Sequence, residues 1–250
     1  MTEPLRELLP DQQSITGLRV RKREATQALL GDTIRLGDDQ WQEPSDLPGW
    51  TRAHVATHVA RNAEAFTRAV EALLGGRPRM LYPSRSRADE EIEVGSRRTG
   101  LDLQIDLDTS AGRLNAAFDT LEASGIRTPV ALTERLRVPA HWWVVGRLSE
   151  VVLHHVDLHC GLRIDEVDDD MARWLLGWEL LRGSGDPALP PVDVVAGSGI
   201  RGRVGPLDRR SIGTVRGDDV ELVGWLSGRG DAEDLSGDAV ALIPVRLAPH

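Results

Sequence analysis

The sequence predicts an α+β fold: a four-helix bundle over its first two thirds, then a small C-terminal α/β domain. Three observations predict it. Before residue 165, four long segments repeat apolar side chains at three- and four-residue intervals, the period of a helix that buries one stripe. No strong strand pattern interrupts them. After Asp165 the composition changes to Gly- and Pro-rich turns between short β-branched runs. A chain of 250 residues holds one large domain or two small ones, and the shift divides it into residues 1–165 and 166–250.

The first helix is expected over 12–38, with Ile15, Leu18, Ala25, Leu29 and Leu30 on one face. Pro44 and Pro48 make 40–49 a loop. The clearest helix covers 51–75, with Thr51 as N-cap and Gly75-Gly76 closing it. Two prolines leave 77–85 irregular, and a short polar helix is expected over 87–98. A third long helix runs 106–124 to Gly125. Residues 128–139 alternate as an extended segment. The fourth long helix runs from His141 to Cys160, with Gly161 as its stop. Beyond the boundary, a helix is expected over 170–182. Strands follow at 192–196, 200–204 and 212–215, then a helix at 218–226 and a last strand at 240–245. Six of the seven tryptophans (Trp50, Trp142, Trp143, Trp174, Trp178, Trp225) either pack in the core or line a pocket.

Composition excludes several functions. The net charge is −9 and the pI about 5.3. A nucleic-acid binder needs the opposite balance. No run of eighteen apolar residues can span a membrane, and MTEPLRELLPDQQS carries no signal-peptide pattern. The single cysteine, Cys160, permits neither an internal disulfide nor a cysteine-rich zinc site. A reducing cytoplasm is the expected address.

The chemically informative residues are histidines and a glutamate on two of the helices. His54 and His58 are four apart on the second long helix, and Glu150 and His154 four apart on the fourth. That spacing puts each pair on one face, one turn apart. Two facing helices can then converge imidazole and carboxylate on one metal, leaving a position open, as in catalytic zinc sites. Such pairs also arise as ordinary polar surface residues. His154 stands out because it lies in the apolar run EVVLHHVDL, where an unpaired imidazole is costly to bury. Asp157, one turn on, either orients His154 or is a solvated carboxylate. The donor set suits zinc and also nickel, cobalt or iron. Against a purely regulatory metal module stands the shortage of cysteine ligands.

Four segments in order, LPGWTRAHVATHVARNA (47–63), MLYPSRSRADEEIEVGS (80–96), RVPAHWWVVGRLSEVVLHHVDL (137–158) and VELVGWLSGRG (220–230), resemble mycothiol-dependent maleylpyruvate isomerases. These belong to the DinB/YfiT-like metalloprotein superfamily. The resemblance implies a DinB-like four-helix bundle carrying zinc, with a small C-terminal α/β domain. It implies that the first ligand is the histidine eight residues after Trp50, namely His58 rather than His54. The other two ligands are then Glu150 and His154, and a catalytic arginine is Arg229, between Gly228 and Gly230. It further implies mycothiol as thiol cofactor, held as a thiolate that adds to the cis double bond of maleylpyruvate. Rotation and elimination would release fumarylpyruvate. The alternative within the superfamily is a zinc-dependent mycothiol S-transferase that conjugates an electrophilic small molecule. One departure bears on the substrate. Where many relatives carry an Arg-Asp pair after the Y-P-S segment, Asp89 follows Ala88, with Arg85 and Arg87 nearby. The Trp142-Trp143 pair is either core or a pocket wall shaped for a larger apolar substrate.

Overall fold

The structure, a computed structural model, describes residues 12–78, 85–131 and 137–240. They form two compact units, one from Gly17 to Gly161 and one from Leu162 onward, to which residues 12–16 also belong. In the first unit the helices are α1 (Gln12–Thr33), α2 (Asp38–Trp41), α3 (Arg52–Leu74), α4 (Arg85–Gly95), α5 (Gly100–Ser124) and α6 (Trp143–Asp157). A short hairpin, β1 (Pro129–Ala131) antiparallel to β2 (Arg137–Pro139), precedes α6. The α+β class and the bundle thus stand, with α1, α3, α5 and α6 as the long helices.

Several boundaries differ from the expectation, each for a local reason. The first helix ends at Thr33, not 38. The Thr33 hydroxyl turns back to the Leu29 carbonyl (2.8 Å), and Gly37 restarts the chain as the N-cap of α2, its N–H held by Gln40 Oε1 at 2.9 Å. α2 lies at the edge of the segment expected to be a loop. α5 starts six residues earlier than the periodicity indicates, because Thr99 caps it by accepting from the Asp102 N–H (3.2 Å). α6 stops at Asp157, not at Gly161; His159 adopts φ 50° and turns the chain. Gly161 has another reason to be glycine: a Cβ there would lie 2.1 Å from Asp32 Oδ2.

α3 and α5 form the main packed pair, joined by Phe66 and Phe118, whose rings are 6.4 Å apart. α1 is tied to α5 by polar contacts: Thr33 Oγ1 to Gln104 at 2.9 Å, Lys22 to Asn115, and Arg19 to Asp119 and Glu122. α6 is buried along its whole length, from Trp143 to Asp157. Its polar residues Arg147, Glu150, His154 and Asp157 recur at three- and four-residue spacing, so they form a stripe that is buried rather than solvated. Trp142 and Trp143 are core residues, Trp143 packing 6.2 Å from Phe66.

The second unit holds α7 (Asp169–Gly183), β3 (Val192–Ala196), β4 (Arg201–Val204), β5 (Thr214–Gly217) and α8 (Asp219–Ser227). Asp168 caps α7 by accepting from the Met171 N–H (3.1 Å). β3 is central: β4 pairs with it antiparallel, Val192 opposite Val204, and β5 pairs parallel, Val194 opposite Val215. α7 and α8 pack on each other, and α7 also on β4. The expected strand at 240–245 lies outside the described residues beyond Val240. No helix among the described residues is long and apolar enough to cross a membrane.

Core truncation in the bundle and surface truncation should separate cleanly. Leu148→Ala, at a fully buried α6 position, is expected to cost about 2–5 kcal/mol in urea denaturation. Leu101→Ala, where the side chain is 70% exposed, should stay within about 0.5 kcal/mol.

Candidate metal centre

α3 and α6 lie against each other. His58, one turn into α3 from His54, faces Glu150 and His154, one turn apart on α6. The three side chains converge, each buried, with candidate ligand atoms all within 4.8 Å of one another. Glu150 Oε2 lies 3.2 Å from His58 Nε2 and 3.4 Å from His154 Nε2. A tetrahedral ion with bonds of about 2.0–2.1 Å sets its donors roughly 3.3 Å apart, so these separations suit one.

The proton inventory points the same way. His154 Nδ1 lies 2.7 Å from Asp157 Oδ2, and Asp157 is 1% exposed. The carboxylate only accepts, so the proton is on Nδ1 and Nε2 presents a lone pair toward Glu150. Two acceptors then face each other across 3.4 Å inside the bundle, an arrangement that calls for a metal ion or a second ring proton between them. Without a metal ion, burial and then the nearby His154 push the His58 pKa down. Burial also opposes charge on His154, but its hydrogen bonds with Asp157 and Glu150 outweigh that, and its pKa is raised. The solvated reading of Asp157 is corrected by its burial.

His54 is not part of the convergence. It is the third residue of α3, and its Nδ1 accepts from the Thr51 backbone N–H (3.2 Å), the role glutamate plays in a capping box. Its Nε2 then carries the proton and donates to Glu93 Oε2 of α4 (3.2 Å). Trp50 stacks on His54 at 6.3 Å and lies 5.6 Å from His58, bordering the triad. His155 points the other way, to Asp32 at 3.1 Å. The Cys160 thiol is pushed up to about 11, by burial and then by Asp32.

Three supports escape a reading by spacing. Arg147, 2% exposed and three residues before Glu150, donates from Nη1 to the Val59 carbonyl (2.9 Å) and to Asn62 Oδ1 (2.7 Å). It thus ties α6 to α3 one turn below the triad. Arg52 donates from Nε to the Leu158 carbonyl (2.7 Å), and the Asp46 N–H donates to the Asp157 carbonyl (3.0 Å). Both satisfy the last carbonyls of α6. An arginine inside an apolar helical run was the one available signal for Arg147.

Arg229 lies in the second unit, just after α8, where Gly228 (φ 73°) ends the helix. Its Nη1 donates to the Ser227 carbonyl (2.9 Å). Of the segment following residue 79, residues 79–84 and the side chains of Arg85 and Arg87 lie outside the described residues, and Asp89 is exposed.

Residues 22–159 match the family described as mycothiol maleylpyruvate isomerase N-terminal domain. A search of curated proteins returns no match. Two crystal structures share the fold over 98% of this chain and 99% of their own, each with a TM-score of 0.79. One is of the mycothiol-dependent maleylpyruvate isomerase, at 23% identity. The other, at 22%, is of a variant of that protein with a histidine replaced by alanine.

Replacing His54 by alanine removes the cap and the link to Glu93. It should lower stability by roughly 0.5–2 kcal/mol in chemical denaturation, whereas a histidine engaged only with solvent would leave the midpoint unmoved.

Proposed function

Because the chain belongs to the family of the mycothiol maleylpyruvate isomerase N-terminal domain, we propose that it is a metal-dependent maleylpyruvate isomerase that uses mycothiol, acting in the cytoplasm. The observation that carries this reading is the buried convergence of His58, Glu150 and His154 within the family-matched residues. In this proposal they hold a divalent ion, zinc by the chemistry of two imidazoles and a carboxylate. When bound, the metal supplies a Lewis acid with an open position, and mycothiol supplies the sulfur that adds reversibly to the cis double bond.

The chain's own residues set the conditions for that chemistry. Asp157 keeps the proton on His154 Nδ1 and so keeps Nε2 free to ligate. Arg147 and Asn62 hold the two ligand helices in register. Cys160 is no substitute for an external thiol, because at neutral pH it is fully protonated. Arg229 is proposed to bind a substrate carboxylate, for which its planar fork is suited. The domain division proposed here assigns the metal to the bundle and Arg229 to the C-terminal α/β domain.

Elemental analysis is the first test. About one divalent ion per chain should be found in the wild type and in His54→Ala, and lost in His58→Ala, Glu150→Ala and His154→Ala. A metal-free wild type prepared without chelator would overturn the reading. Asp157→Asn should weaken metal affinity roughly 10–100-fold. With metal and mycothiol present, maleylpyruvate should isomerise with free thiol conserved. Stoichiometric loss of thiol would instead identify an S-transferase. Arg229→Ala should lose roughly 10²-fold or more in kcat/KM with its metal intact. Cys160→Ser should retain turnover, and alkylation of Cys160 should speed up about tenfold per pH unit until the pH nears its pKa of about 11.

A further inference from the structure

A histidine that ligates a metal is ordinarily oriented by a hydrogen bond at its other ring nitrogen. Asp157 gives His154 that bond. His58 has no counterpart: among the described residues its side chain makes one hydrogen bond, between Nε2 and Glu150 at 3.2 Å. What fixes its plane is a row of rings. His58 meets His154 edge-on, with centroids 4.6 Å apart. On its other side lies the Trp50 indole, 5.6 Å away and tilted by 51°. The same indole stacks on His54 at 6.3 Å, with the planes 26° from parallel. All three spacings fall in the range over which aromatic rings attract.

The outer end of this row is anchored. His54 Nε2 donates to Glu93 Oε2 (3.2 Å), and Arg97 holds the other oxygen of that carboxylate at 2.7 Å. Trp50 is fixed through its backbone. Its carbonyl accepts from the N–H and the hydroxyl of Ser45, each at 2.9 Å, and its N–H donates to the Leu47 carbonyl at 3.0 Å. The residue type at position 54 then has a reason. A capping box usually carries glutamate or glutamine at this place in the helix, and either could accept the Thr51 N–H as His54 Nδ1 does. Only a ring also offers a flat face for Trp50. We propose that His54 is a positioning residue for His58, acting through Trp50: the stack sets the plane in which His58 Nε2 faces Glu150 and His154. The role rests on the metal reading given above and extends it to a residue outside the ligand set.

Two substitutions at one residue separate the face from the cap. His54→Gln keeps the cap and removes the face, whereas His54→Phe keeps the face and removes the cap. Zinc affinity is measured by chelator competition on the full-length protein, with Trp50→Leu and the double variant Trp50→Leu/His54→Gln alongside. Every variant should still load about one ion per chain. Binding should be roughly 3–10-fold weaker in His54→Gln and in Trp50→Leu, and near wild type in His54→Phe. The double variant should lose no more than Trp50→Leu alone. Cobalt-loaded His54→Gln should show shifted d–d absorption bands, which the loss of a merely structural contact would not move. Three results would overturn the role: wild-type affinity and bands in His54→Gln, His54→Phe as weak as His54→Gln, or additive losses in the double variant. A wild type that takes up neither metal refutes the metal reading itself. The histidine ring NMR signals of the metal-free protein then decide the positioning role. His58 should give one sharp set in the wild type and in His54→Phe, and a broadened or doubled set in His54→Gln. The same sharp set in all three proteins overturns the proposal.

Discussion

A helix buried on every side has no surface on which to leave a polar group, and α6 is such a helix. Each polar side chain it carries must be answered from within the bundle or cost several kcal/mol. Arg147 is answered by Val59 and Asn62 of α3, His154 by Asp157 and Glu150, and His155 by Asp32 of α1. These partners come from different helices, so satisfying α6 also fixes how α1 and α3 lie against it. His58, Glu150 and His154 converge because the same packing leaves them nowhere else to point. Breaking one partner leaves a charge or dipole stranded in low dielectric, and the penalty falls on the register of the whole bundle.

Two histidines on different helices, His54 of α3 and His154 of α6, illustrate how one residue type serves two ends. His54 holds its proton on Nε2 and uses the bare Nδ1 to cap the helix. His154, across the bundle, holds its proton on Nδ1 and bares Nε2. The neighbouring acceptor or donor decides the tautomer in each case, and the tautomer decides whether the ring can meet a cation. Spacing alone put His54 and His58 on an equal footing. Only the backbone N–H of Thr51 separates them, and a sequence does not display which backbone donors a helix start leaves open.

Much of the architecture was legible because it rests on period and punctuation. Thr51, Gly75 and Gly125 bracket helices where they were expected, and the central strand β3 falls on its β-branched run. The errors share a cause. α1 stops at Thr33 and His159 turns the chain at positive φ after α6, neither with a glycine or proline at the stop to announce it. Gly161 was read as a helix stop, whereas its missing side chain serves close approach to Asp32. The triad was legible as two spaced pairs on separate helices. Its supports at Arg147, Asn62 and Arg52 were not, since their partners are main-chain carbonyls or residues far along the chain.

Arg52 carries a consequence for motion. From the first turn of α3 it reaches Gln40 and Glu43 with one nitrogen and the carbonyls of Leu158 and His159 with the others. Asp46, between them, holds the Asp157 carbonyl. The segment around residues 40–52 and the last turn of α6 are therefore stapled to one another and not only to their own neighbours. They open and close as a single cooperative unit, so the amides of that turn exchange with solvent at the free energy of releasing the segment rather than by fraying of a helix end. The carboxyl-terminal end of α6, beside His154, is as rigid as a loop distant in sequence allows it to be.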